Sequence, residues 1–147
     1  MFKNILVPTD GSKLSVKAAK QAVKLAKALG ARITGFYAAP DIGSTYYGDG
    51  YVLRAPSAEA QAEFAQQQAR KCLSTIEVEA DVEKVECAVF HVVNDSPYEA
   101  IIDAARKKKC DLIFMASHGR RGLSGLVLGS ETQKVLTHSK IPVLVCR

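Results

Sequence analysis

The residues best suited to chemistry lie between Asp111 and Thr132. Four glycines, Gly119, Gly122, Gly125 and Gly129, share this stretch with two arginines, Arg120 and Arg121, and the run closes on Ser130, Glu131 and Thr132. Glycine allows positive φ and a close approach of backbone to a ligand. Arginine adds a planar fork of donors that fits phosphate oxygens. The apolar run 112–116 reads as a buried parallel strand, and a helical pattern begins at Ser130. A strand, a glycine-rich loop and a helix N-terminus together direct unpaired N–H groups and the positive end of a helix dipole at the loop's contents. The chemistry expected of this stretch is the binding of an anion, phosphate above all.

Other chemistries lack their parts. There is no Walker GxxxxGK[ST] run, the loop has no lysine, and no residue stands out as the base that would orient an attacking water. A dedicated phosphohydrolase is therefore not expected, and no catalytic residue is assigned. The four cysteines, Cys72, Cys87, Cys110 and Cys146, form no CxxC pair, and His91, His118 and His138 lack metalloprotease spacing. They read as reduced, mostly buried thiols and isolated histidines, with no metal site among them.

The elements that must position the loop follow from the hydrophobic pattern. The 147 residues form one domain, 1–147, with 48% apolar and 24% charged residues, as in a globular protein. Strands are predicted at Asn4–Val7, Ala31–Ala39, Val82–Val93, 112–116 and Pro142–Cys146. Helices are predicted at Lys13–Leu29, from Ser57 to about Val78, at Tyr98–Lys108 and at 130–138. Ser12 and Ser96 stand as N-caps, Pro97 as a first helical residue, and Gly30 as a stop. Residues 41–56 show no period and read as a lid-like loop. Alternating strands and helices imply an α/β fold, an open parallel five-stranded sheet with helices on both faces, of Rossmann-like type and strand order 3-2-1-4-5. Strand order then reverses between the first and fourth strands. Ligands bind such sheets at that reversal, beyond the carboxyl ends of the strands. The turn at Pro8, Thr9, Asp10 and Gly11 therefore faces the glycine loop across one cleft.

Charge adds one further pattern. Lys13, Lys17, Lys20, Lys24 and Lys27 recur at steps of four and three within a chain of net charge +5. They form one stripe on the first helix, either a solvated face or a docking surface for nucleic acid or an acidic partner. Nothing resembling aromatic interleaving or a recognition helix supports nucleic acid. No apolar run approaches the ~20 residues that span a bilayer, and the N-terminus opens as a strand without a signal-peptide layout. A cytoplasmic location is expected.

Four segments together resemble the universal stress protein family: Ile-Leu-Val-Pro-Thr-Asp-Gly-Ser at 5–12, Asp-Leu-Ile-Phe-Met-Ala-Ser-His-Gly at 111–119, Leu-Gly-Ser at 128–130 and Pro-Val-Leu-Val at 142–145. The resemblance spans the whole chain and implies the same five-stranded fold, commonly as a homodimer. Nucleotide-binding members carry Gly-x2-Gly-x9-Gly-Ser/Thr. Gly119, Gly129 and Ser130 match it, and Ala116 stands where the first glycine would be. The resemblance implies ATP or AMP, with or without Mg²⁺, bound by Pro8, Thr9, Asp10, Ala38, Met115, Ala116, His118, Gly119, Arg120, Gly129, Ser130, Glu131 and Thr132. The expected function is a nucleotide-binding regulatory stress-response protein without efficient turnover. The alternatives are a slow ATP hydrolase or phosphotransfer protein, and a dimeric interaction module that binds no nucleotide. The last strand, 141–146, is an apolar sheet edge and the expected homodimer contact.

Overall fold

The computed structural model describes residues 1–43, 56–120 and 128–147. Nine elements alternate along the chain: β1 (Asn4–Pro8), α1 (Lys13–Leu29), β2 (Arg32–Ala39), α2 (Ala58–Glu83), β3 (Cys87–Val93), α3 (Pro97–Lys107), β4 (Leu112–Ala116), α4 (Ser130–His138) and β5 (Val143–Cys146). The strands pair in parallel in the order β3-β2-β1-β4-β5, as the sequence predicts. The proposed lid over 41–56 falls mostly outside the described residues, as do Arg121, Gly122 and Gly125.

The central strands are apolar throughout because both of their faces are covered. Alternation then divides their side chains. Ile5 and Val7 of β1, Ile33 of β2 and Phe114 of β4 pack with α1 and α2. Leu6, Phe36, Ile113 and Met115 pack with α3 and α4 on the other face. On α1 the inner stripe is small, Ala18, Ala19, Ala22, Val23 and Ala26, so that helix lies close to the sheet. The amino end of the sheet is tied by polar groups. The Asp111 carboxylate accepts from the N–H of Lys3 at 2.8 Å and of Asn4 at 3.0 Å. The Asn4 amide donates to Lys108 O at 2.9 Å and accepts from Thr34 Oγ1 at 2.8 Å.

Two boundaries differ from the sequence reading by more than one residue. α2 continues past Val78 to Glu83, and β3 starts at Cys87 instead of Val82. The β-branched Val78, Val82 and Val85 suggest a strand, but Val78 and Val82 sit one helical turn apart on the solvent side of α2, while Ile76 and Ala80 carry its buried stripe onward. Ser96 occupies the N-cap of α3 without a capping hydrogen bond. Instead Asn94 Oδ1 accepts the Ser96 N–H at 2.7 Å, and Glu131 Oε2 from α4 accepts the Tyr98 N–H at 2.9 Å. A carboxylate from another helix has taken over the cap.

Gly30 ends α1 in the left-handed region, φ 64°, and a methyl built on it would meet nothing within 4 Å. Gly30→Ala is thus a conformational test without a steric one. It should cost about 1 kcal/mol in urea unfolding. No loss of stability would mean that α1 ends in another conformation.

Candidate functional site

The cleft lies where β1 and β4 diverge in connection, at their carboxyl ends. Its first wall is the β1–α1 turn. Pro8 is the buried last residue of β1. Thr9 is buried: its N–H donates to Phe36 O at 2.9 Å, and its Oγ1 lies 3.1 Å from Ser15 Oγ and accepts the Gly11 N–H at 3.1 Å. Thr9 therefore builds the turn, with its hydroxyl already engaged. Gly11 has φ 77°, and a Cβ there would come within 2.9 Å of both Arg120 Nη2 and Cys72 Sγ. Glycine is required at this position twice over, by conformation and by space. Ser12 caps α1, accepting the Ser15 N–H at 3.2 Å.

Asp10 joins the two walls. Its Oδ1 accepts the Ser12 N–H at 2.9 Å, and its Oδ2 accepts the Arg120 N–H at 2.7 Å. A Cβ at Gly119 would run onto the same carboxylate oxygen, so glycine at 119 is what lets the loop close over Asp10. Burial raises the Asp10 carboxyl, but hydrogen bonds from the Ser12 hydroxyl and N–H, the Arg120 N–H and the Ser15 hydroxyl outweigh it. They hold the group below its ordinary value of 3.8.

The second wall is the end of β4 and the start of α4. Met115 is buried toward α3 and α4, and the Ala116 methyl is buried in the α1–α2 core. The Ala116 carbonyl accepts from Thr132 Oγ1 at 3.0 Å, and the Ser117 carbonyl accepts the Gly129 N–H at 2.7 Å. A Cβ on Gly129 would meet Ser117 O at 3.2 Å and His118 Cα at 3.3 Å. The sequence reading makes these glycines yield to a ligand; at 119 and 129 they yield first to the protein's own atoms. The Gly129 N–H is held by Ser117 O, so the donors at this helix start come from the residues after it. The Glu131 side chain accepts the Tyr98 N–H and pairs with Lys134 Nζ at 3.0 Å, while its backbone lies in the first turn of α4. Ala38 lies half-buried near the end of β2.

What stays open is narrower than the sequence list. Gly129 is the N-cap of α4 and supplies no capping side chain. The N–H groups of Ser130, Glu131 and Thr132 have no acceptor within their own helix. Ser130 is exposed at the first helical position. Beside them stands His118. Its Nδ1 lies 3.0 Å from Ser117 Oγ, while its Nε2 is buried and has no partner among the described residues. Uncapped donors and a buried ring nitrogen without a partner make a place for a polar group from outside. Arg120 keeps its guanidinium on the α2 side, against Gly11 and Cys72. Tyr37 and Cys72 complete that side and were not legible as site residues. Burial, then the neighbouring Cys72, raises the Tyr37 phenol; burial likewise raises the Cys72 thiol, against the pull of Arg120. The alternation of β2 puts Tyr37 on the face of Ile33, which is the one signal the sequence offered. Among the described residues, no three His, Cys, Asp or Glu side chains gather as a metal site.

An open parallel sheet with an anion-receptive helix start at its strand-order reversal defines a Rossmann-like α/β protein. The universal stress protein family profile matches residues 1–147, and the chain belongs to that family. It is 31% identical over 150 residues to universal stress protein MJ0531 of Methanocaldococcus jannaschii, covering all of this chain and 83% of the relative. Among solved structures, the fold superposes on protein MJ0577 of the same organism with a TM-score of 0.75 and 25% identity, covering 99% of this chain and 95% of that one. It also superposes on a universal stress protein in complex with cAMP with a TM-score of 0.71 and 22% identity, covering 99% and 97%.

Asp10 gives a pH test. Its lowered pKa means that it stabilises the fold above the ordinary carboxylate range and loses that contribution as pH falls through the lowered value. Asp10→Asn should be less stable than the parent at neutral pH, and the gap should close on acidification below about pH 4. A gap independent of pH in urea titrations would remove the carboxylate's charge from the account.

Proposed function

We propose that this chain is a regulatory protein that binds an adenine nucleotide, ATP or AMP, without efficient turnover. The observation that carries the reading is the uncapped start of α4 next to the unpartnered His118 Nε2. The N–H groups of Ser130, Glu131 and Thr132 and the Ser130 hydroxyl would hold phosphate, with His118 offering one further polar atom. The cAMP complex of a protein of this fold supports the ligand class. Phosphate would supply the charge, and any Mg²⁺ would be carried by it, since the described residues offer no metal cluster.

Low turnover is supported by Asp10. It is the acid nearest the cleft's hinge, but both of its oxygens accept backbone N–H groups and its pKa is lowered. A carboxylate so held is a weak base. The slow-hydrolase reading would need a base from elsewhere.

Isothermal titration with ATP, AMP and cAMP, with and without Mg²⁺, tests the proposal. Ser130→Asp is the informative variant. A carboxylate in the first turn suits the helix dipole, so the melting temperature should hold or rise. The same charge should repel phosphate and weaken ATP at least about tenfold. Undiminished ATP affinity in this variant would place the nucleotide elsewhere. No binding by the parent would favour the interaction-module reading, and single-turnover hydrolysis at chemical rates would favour the enzyme.

The proposal includes a homodimer through β5. Among the described residues this strand pairs only with β4, ends the sheet, and exposes Leu144 to solvent. An apolar edge of this kind invites pairing about a two-fold axis. Sedimentation should show a dimer that Val143→Lys dissociates. A dimer that survives the substitution would move the contact to another surface.

A further inference from the structure

The lysine stripe on α1 has no part in the proposed nucleotide site, and helix electrostatics make it costly. α1 carries five lysines and no acid, so the rest of the chain is neutral overall. At about 100° per residue the five lie within an arc of roughly 80° along a helix about 25 Å long. Each is exposed, and each has a like-charged neighbour three or four residues away. Such pairs destabilise a helix, and Lys13 also sits at the first helical position, where the dipole disfavours a cation. The other helices avoid this: Arg106 pairs with Asp103 on α3, and Lys134 with Glu131 on α4. On α1 only Lys27 has an ion pair, with Glu83 of α2 at 2.6 Å, while Lys17 Nζ donates to Arg147 O at 2.9 Å. No ion pair or hydrogen bond joins the side chains of Lys13, Lys20 or Lys24 to a described residue, although Lys24 adds to the field at Glu83. The opposite face of α1 is buried, and beside the five lysines only the uncharged Gln21 and Ala28 of this helix are exposed.

We infer that the α1 stripe is a docking surface for a slender acidic segment of a partner protein, such as a helix bearing carboxylates at three- and four-residue steps. Width decides between polyanions. Glu83 of α2, paired with Lys27 and in the field of Lys24, borders the stripe on the α2 side and sets a negative charge there. It would repel a broad polyanion such as a nucleic-acid duplex or a bilayer, but leaves room for a helix about 10 Å across. The stripe has no arginine to grip phosphate bidentately, and no large exposed apolar side chain on α1 could enter a bilayer. Lysines as point charges on mobile stems match carboxylates arranged in the same helical rhythm.

The probe is a fluorescein-labelled alanine-based peptide with glutamate at alternating three- and four-residue steps, titrated by anisotropy at low salt with the full chain. The parent should bind it. Lys20→Glu with Lys24→Glu should weaken binding at least about tenfold, whereas Lys107→Glu with Lys140→Glu, an equal change of net charge elsewhere, should stay within about twofold. Lys20→Glu alone forms i,i+4 and i,i−3 pairs with Lys24 and Lys17, so it should hold or raise the melting temperature of the free protein while weakening the peptide. Equal losses in both double variants would reduce the effect to net charge and overturn the inference. So would a parent that ignores the peptide, a duplex DNA or phosphatidylserine vesicle that binds as tightly, or a Lys20→Glu chain that melts lower.

Discussion

One carboxylate joins the two halves of this fold. Asp10 accepts N–H groups from its own turn and from Arg120, two residues that are far apart in sequence. The parallel sheet reverses its strand order between β1 and β4, and nothing in the hydrogen-bond ladders obliges the loops beyond those strands to meet. The Asp10 bridge makes them meet. It requires a residue without Cβ at 119. His118 stands beside the α4 start because its neighbour Ser117 accepts the Gly129 N–H.

The second constraint is spatial. Gly11 and Gly129 are each hemmed in by atoms of the protein, and Gly11 also by its left-handed φ. A glycine-rich loop is often taken as a sign of close ligand approach. Here the same composition is demanded at the described positions by strand, turn and helix packing within a few ångströms. Packing leaves unused the first-turn N–H groups of α4 and the imidazole edge, the groups on which the proposed nucleotide binding rests.

This explains what could be read in advance. Strand order and helix positions were legible because β1, β2 and β4 are buried on both faces and read as apolar runs, while α1 and α3 alternate strongly. The end of α2 was not legible: Val78 and Val82 mimic a strand, and only the buried Ala80 reveals the helix. That Asp10 and Gly119 lie together at the carboxyl ends of β1 and β4, with Gly129 and Ser130 at the start of α4, was legible from type and spacing. Their partners were not, because Asp10 to Arg120 spans the topology, and because the Glu131 side chain serves α3 from another helix. Tyr37 and Cys72 escaped notice since an aromatic and a thiol in a core-facing pattern look like core.

The ends of the crossover from β4 to α4 are fastened separately, by Gly129 N–H to Ser117 O at 2.7 Å and by Thr132 Oγ1 to Ala116 O at 3.0 Å. Both acceptors are main-chain carbonyls at and just beyond the end of β4, so the start of α4 is registered on the sheet by bonds that no side chain of that strand supplies.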